Sequence, residues 1–149
     1  MSDRSIEFIA RGLAIRGSRV LLCKNVKHGY CFLPGGHVEF GEAAASALVR
    51  EFKEETGIVA TCGSVALVAE HVFERKKGPC HEVNVVFHVE LPEVEIKSME
   101  PKIAFVWAEL AQLNEIDLRP TSIKAWLIAG GRTECAAAWS SERALHVEH

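Results

Sequence analysis

Three carboxylates, Glu51, Glu54 and Glu55, stand at spacings of three and four within the run Arg50-Glu51-Phe52-Lys53-Glu54-Glu55. If that run is helical, the three share one face about a turn apart. Like charges so placed repel by roughly 0.2–0.5 kcal/mol per pair. They also lie toward the helix C-terminus, where the macrodipole disfavours anions. Both effects make the cluster locally costly. Arg50 can pair with Glu54 at i, i+4, but one guanidinium cannot neutralise three acids, and Lys53 lies round the helix from Glu51 and Glu55. Hard oxygen donors of this kind suit Mg²⁺ or Mn²⁺ and not zinc. On the helix alone, a solvated acidic face is the commoner fate of such glutamates.

The elements around the cluster can be read from pattern. Ala43 to Thr56 is rich in strong helix formers, with Ala45, Leu48 and Phe52 as the apolar stripe and Gly57 at the left-handed cap position. Before it, Ile6 to Ile15 and Ser18 to Lys24 read as strands joined by a turn at Arg16-Gly17-Ser18. Cys31-Phe32-Leu33 is a short apolar piece stopped by Pro34-Gly35-Gly36, where a specialised loop begins. After the helix, Ile58 to Phe73, Val83 to Val89 and Ile103 to Trp107 read as strands. Ala108 to Asn114 reads as a short helix and Thr121 to Ala129 as a full one, stopped by Gly130-Gly131. Strands, a helix, more strands and then helices predict an α/β (α+β) domain with a mixed sheet over residues 1–131. Residues 132–149 form a tail, for which Ala136-Ala137-Ala138-Trp139 suggests a short docked helix, the alternative being a mobile tail.

Gly36-His37-Val38-Glu39-Phe40-Gly41-Glu42, followed after seven residues by Arg50-Glu51-Phe52-Lys53-Glu54-Glu55-Thr56-Gly57-Ile58, resembles the box of the Nudix hydrolases (MutT-like proteins). Gly36, Glu42, Arg50, Glu51, Glu54, Glu55 and Gly57 all match its fixed positions, a coincidence expected roughly once in 10⁸ positions. Phe52 is the soft departure, where an aliphatic residue is usual. Phe32-Leu33-Pro34-Gly35 resembles the usual lead-in. The resemblance implies an α/β/α sandwich and a Mg²⁺-dependent hydrolase, with Mn²⁺ as a substitute, that splits a diphosphate linkage in a small nucleotide. By the same resemblance, Glu51, Glu54 and Glu55 hold metal with the Gly36 carbonyl. Glu42 and Arg50 brace the loop against the helix, and Gly57 lets the chain leave it. Glu54, Glu51 and Arg50 are the residues expected to carry catalysis, with Glu51, Glu54 or a later glutamate as base. A carboxylate from beyond the box is expected as well, Glu100 first and Glu82 behind it. His37, Phe40 and Phe8 are the candidates for touching substrate, with Phe32 and Trp107 as further aromatic options.

Composition sets the outer limits. Lys plus Arg is 17 and Asp plus Glu is 20, a net charge of −3, which argues against binding a nucleic-acid backbone by bulk charge. Five cysteines with no Cys-x-x-Cys pair suggest free thiols. Neither a basic-then-apolar leader nor a membrane-spanning run is visible, so a cytoplasmic protein without membrane association is expected. Signatures of the ADP-ribose, diadenosine polyphosphate, NADH and coenzyme A subclasses are not found downstream of the box. A nucleoside triphosphate or nucleotide sugar is therefore the expected substrate. The competing readings are a nucleotide-sensing module without turnover and an RNA 5′-end pyrophosphohydrolase. The resemblance leaves monomer and homodimer open, dimers being common in that family.

Overall fold

The computed structural model describes residues 4–131 and 138–143. Among the described residues nine strands form two sheets: β1 (Ile6–Leu13), β2 (Ile15–Arg16), β3 (Arg19–Asn25), β4 (Cys31–Phe32), β5 (Gly35–His37), β6 (Thr61–Arg75), β7 (Gly78–Glu90), β8 (Ile103–Glu109) and β9 (Ala138–Arg143). Two α-helices, α1 (Ala44–Thr56) and α2 (Thr121–Ile128), join a 3-10 turn at Leu110–Glu115. The larger sheet runs β5-β1-β7-β6-β9. Its β1–β7 and β6–β9 pairs are parallel and the others antiparallel, so the sheet is mixed. The smaller sheet is centred on β3, which pairs β2, β4 and β8.

Strand alternation feeds two cores from the same strands. Leu13, Val20, Leu22, Leu67 and Val86 join Ile123 and Leu127 of α2. Ala10, Ala14, Leu21, Phe87 and Val89 join Ala47, Leu48 and Phe52 of α1. Helices therefore cover opposite faces of the sheets, the expected α/β/α sandwich. On α1 the buried stripe is Ala47, Leu48 and Phe52, and Ala45 only borders it. Phe52 is 1% exposed because β1 leaves room: a Cβ at Gly12 would stand 2.9 Å from its ring. The bulky departure from an aliphatic residue on the helix is matched by a missing side chain on the strand beneath it.

Several boundaries differ from expectation for physical reasons. Gly35–His37 is a short strand, since Gly35, at φ 146°, lets β5 approach the Ala10 carbonyl where a Cβ would clash. Ala138–Arg143 is a strand beside β6, so over those residues the docked helix is corrected. Backbone pairing to an open sheet edge outweighs the helix preference of alanine there. Residues 132–137 and 144–149 of that tail lie outside the described residues. Cys23, Cys31, Cys62 and Cys80 are free thiols, and among the described residues no helix is long and apolar enough to cross a membrane.

Candidate active site

The loop from Gly36 to Glu42 folds back on α1 because one guanidinium ties them together. Arg50 donates through Nε and Nη2 to the two oxygens of Glu42, at 2.8 and 3.0 Å, a planar fork that fixes direction as well as distance. Nη2 also donates to the His37 carbonyl at 3.1 Å, while Nη1 reaches Glu51 at 3.1 Å and Glu54 at 3.3 Å. Glu42 in turn accepts from the Glu39 amide. These contacts hold the Arg50 pKa above, and the Glu42 pKa below, their ordinary values. The brace between Glu42 and Arg50 is thus present in the geometry.

Glu51 lies against the loop backbone. A Cβ on Gly36 would run into the Glu51 carboxylate, so a larger residue there would push this carboxylate off the strand backbone. Glu55 shares the space, and its carboxyl is pushed up to about 7 by burial first, then by the charge and hydrogen bonding of Glu51, with Glu100 adding to the effect. Glu54 is the most open of the three, with its side chain 59% exposed. The chain leaves the helix at Gly57, at φ 73°, whose amide caps the Lys53 carbonyl. The Met99 amide donates to the Glu55 carbonyl at 2.6 Å, pinning the Glu100 loop to the same helix end. Glu100 therefore falls within the field of the cluster, as the first choice among later carboxylates.

The residues expected to touch substrate are placed differently. Phe40 is fully exposed on the loop. Phe8 is half-exposed and, by alternation, points to the α1 face of β1. The His37 imidazole is exposed and faces Glu7 at 3.6 Å, so the residue joins the loop brace through its carbonyl. Trp107 packs under Arg16, 4.5 Å from its ring centre. None of the four lines the aromatic cavity on the other face of β1.

That cavity, about 360 Å³, opens on the other face of β1. One wall is Tyr30 with Phe32, and the other is His71 stacked on Phe73 at 4.4 Å. Glu82, the register partner of His71 on β7, also lines the cavity, and Arg119 sits over Tyr30. Arg11 links the cavity to the acids. It lines the cavity, donates to Asn84 Oδ1 and the Leu33 carbonyl at 3.2 Å each, and feels the charges of Glu82, Glu55 and Glu51. Burial holds its pKa below the ordinary value. Sequence reasoning passed over Arg11, although a single cation on the inward positions Ile9, Arg11 and Leu13 of an apolar strand is a signal of its own. Glu82 belongs to this cavity and not to the helix cluster. Glu7, Cys80 and Glu82 bring donor atoms within 4.8 Å of one another, but they form a compensated network. Glu7 meets His37 and Arg75, Glu82 meets Asn84 and His71, and the Cys80 thiol is pushed up to about 11 by burial and its bond to Glu7.

The helix acids fit a divalent cation: they offer only hard oxygens, crowd one another enough to hold a proton at Glu55, and adjoin a backbone that glycine keeps open. Comparison with known proteins agrees with the fold and the box. An ADP-ribose pyrophosphatase of Methanocaldococcus jannaschii is 34% identical over 90 residues, 58% of this chain and 52% of that protein, so the match spans about half of the relative's length. The crystal structure of a MutT protein from Methanosarcina mazei superposes with a TM-score of 0.71 at 21% identity, covering 89% of this chain and 97% of that one. An ADP-ribose pyrophosphatase from Streptococcus suis gives 0.68 at 18% identity, covering 91% and 100%. The model of the NUDIX domain matches residues 8–127, a span that holds the loop, the acid helix and both cores, and the chain belongs to the Nudix family.

Proposed function

We propose that this protein hydrolyses a diphosphate linkage in a small nucleotide, with Mg²⁺ (or Mn²⁺) held by Glu51, Glu54, Glu55 and the Gly36 carbonyl and Glu100 at the margin. The observation that carries the reading is a shortage of positive charge. Arg50 is shared among Glu42, Glu51 and Glu54, and Glu55 meets the deficit by keeping its proton up to about pH 7. A bound divalent ion would supply the missing charge, screen the diphosphate oxygens and acidify a water.

The chain's own residues do the rest. Glu54 is the carboxylate best placed to take a proton from attacking water, because its side chain is open and, among the described residues, Arg50 is its one polar partner. Arg50 ties the loop to the acid helix through Glu42 and the His37 carbonyl, which would keep the Gly36 carbonyl beside the helix acids. Arg11 presents a guanidinium with no carboxylate within 4 Å among the described residues, a cation suited to a substrate phosphate. The aromatic walls suit a flat heterocycle, whose stacking is worth about 1–3 kcal/mol per base. A nucleoside triphosphate or nucleotide sugar fits this arrangement, and the names of the relatives bring ADP-ribose into the panel to be tested.

The test is product chromatography over nucleoside triphosphates, nucleotide sugars, ADP-ribose and dinucleotides, with Mg²⁺ and with EDTA. Turnover should require the metal and should vanish in Glu54→Gln and Glu55→Gln. Turnover in EDTA would remove the metal, and binding across the panel without turnover would favour a sensing module.

A further inference from the structure

Glu82 is a costly residue to place where it is. Its side chain is only 13% exposed, on the sheet face that a few residues further on becomes the apolar core at Val86. The sheet pays it special attention: Asn84 Nδ2 donates to Oε1 at 3.3 Å, and His71 Nδ1 lies 3.7 Å from the same oxygen. Asn84 is itself held by Arg11 and the Ala69 carbonyl. Both contacts engage one carboxylate oxygen, and among the described residues no hydrogen bond falls on the other. Burial by itself would raise the Glu82 pKa, yet the bonds from His71 and Asn84 and the charge of Arg11 hold it below the ordinary value. The cavity thus contains a fixed anion that accepts hydrogen bonds and donates none.

We propose that Glu82 selects nucleotides whose base carries an exocyclic amino group, accepting that group's N–H between the Phe32 and Phe73 walls. The inference rests on the reading of this cavity as the base site of a nucleotide hydrolase. Stacking is indifferent to the base, since every base has a π-face. The edge chemistry is not. An amino group meets the carboxylate as donor to acceptor, whereas a carbonyl at the same edge sets oxygen against oxygen. Discrimination then has an attractive and a repulsive part. Arg11 lines the same cavity and feels the charges of Glu82, Glu55 and Glu51, so it joins the base site to the helix acids.

Two pairs separate the parts of the effect: GTP against ITP removes the amino group alone, and CTP against UTP replaces it by a carbonyl, with N3 gaining a proton. With Mg²⁺ present, kcat/KM should favour the amino-bearing member of each pair by about 10- to 100-fold, the range for one charge-assisted bond to substrate. Glu82→Gln should shrink the preference to within about threefold, through KM with kcat kept, because its amide can turn donor or acceptor to the base. Calorimetric binding of GMP against IMP and CMP against UMP repeats the comparison without hydrolysis, and the melting temperature of Glu82→Gln reports its folding. Equal kcat/KM within the pairs, or a preference that survives in folded Glu82→Gln, overturns the assignment. If no nucleotide is turned over, the hydrolase reading fails, and the monophosphate pairs still decide Glu82.

Discussion

Replacing Glu55 by Gln should make the metal-free protein more stable at pH 8 while abolishing its activity. In the folded protein this carboxyl is pushed up to about 7, against an ordinary value of 4.5. Between those values the native state binds more protons than the unfolded chain, so stability falls as pH rises through the window. The stabilisation from the held proton is complete below about pH 4.5 and gone above about 7. At about 1.36 kcal/mol per unit the shift sets a ceiling of about 3 kcal/mol. The cleft is partly open to water and the proton is shared with Glu51, so screening reduces this to ~1–2 kcal/mol. Glutamine imitates the protonated form at every pH. In EDTA at pH 8, Glu55→Gln should melt roughly 3–6 °C above the parent, and at pH 4.5 the two should coincide. Mg²⁺ should raise the parent's melting temperature at pH 8 and leave the variant nearly unmoved, since only the parent offers the full ligand set. A variant no more stable than the parent at pH 8, or an equal gain at both pH values, would refute the reasoning.

Other outcomes follow from single contacts. Arg50→Lys loses the fork on Glu42 and should lower kcat by ~10²-fold with the fold intact, read by steady-state kinetics and circular dichroism. Gly36→Ala drives a methyl into the Glu51 carboxylate and should weaken Mg²⁺ activation by about 10- to 100-fold, measured as the metal concentration at half-maximal rate. Gly12→Ala meets the Phe52 ring and should cost about 1–3 kcal/mol in denaturant unfolding, and adding Phe52→Leu should recover most of it. Arg11→Met should raise KM for every nucleotide alike, whatever the base.

The acid cluster was legible because its members are neighbours on one helix: spacing along the chain is spacing in space, and Glu42 and Arg50 sit in the same stretch. The layered fold was legible for a similar reason, since strands and helices announce themselves by local periodicity. The parallel pairs β1–β7 and β6–β9 were not, because each joins segments far apart in the sequence with no turn between them to specify register. The cavity suffered most. Arg11, Phe32, His71, Glu82 and Arg119 come from five separate segments, so no window of sequence contains it. Phe8 and Phe40 are aromatic and near the box, but strand parity and loop path, which no short window reveals, keep them off this cavity.

Parity on β1 has a consequence for how such a protein can change. Its even positions, Ala10 and Gly12, seat the helix that carries the acids, while on its odd positions Arg11 lines the neighbouring cavity and Glu7 lies beside Glu82. One strand therefore serves two masters without mixing them. Substitutions at odd positions can retune which molecule is admitted and leave the reactive machinery in place, whereas an insertion of one residue would exchange the two sets and destroy both. Diversification of substrate choice has an open route along this strand, and diversification of the chemistry does not.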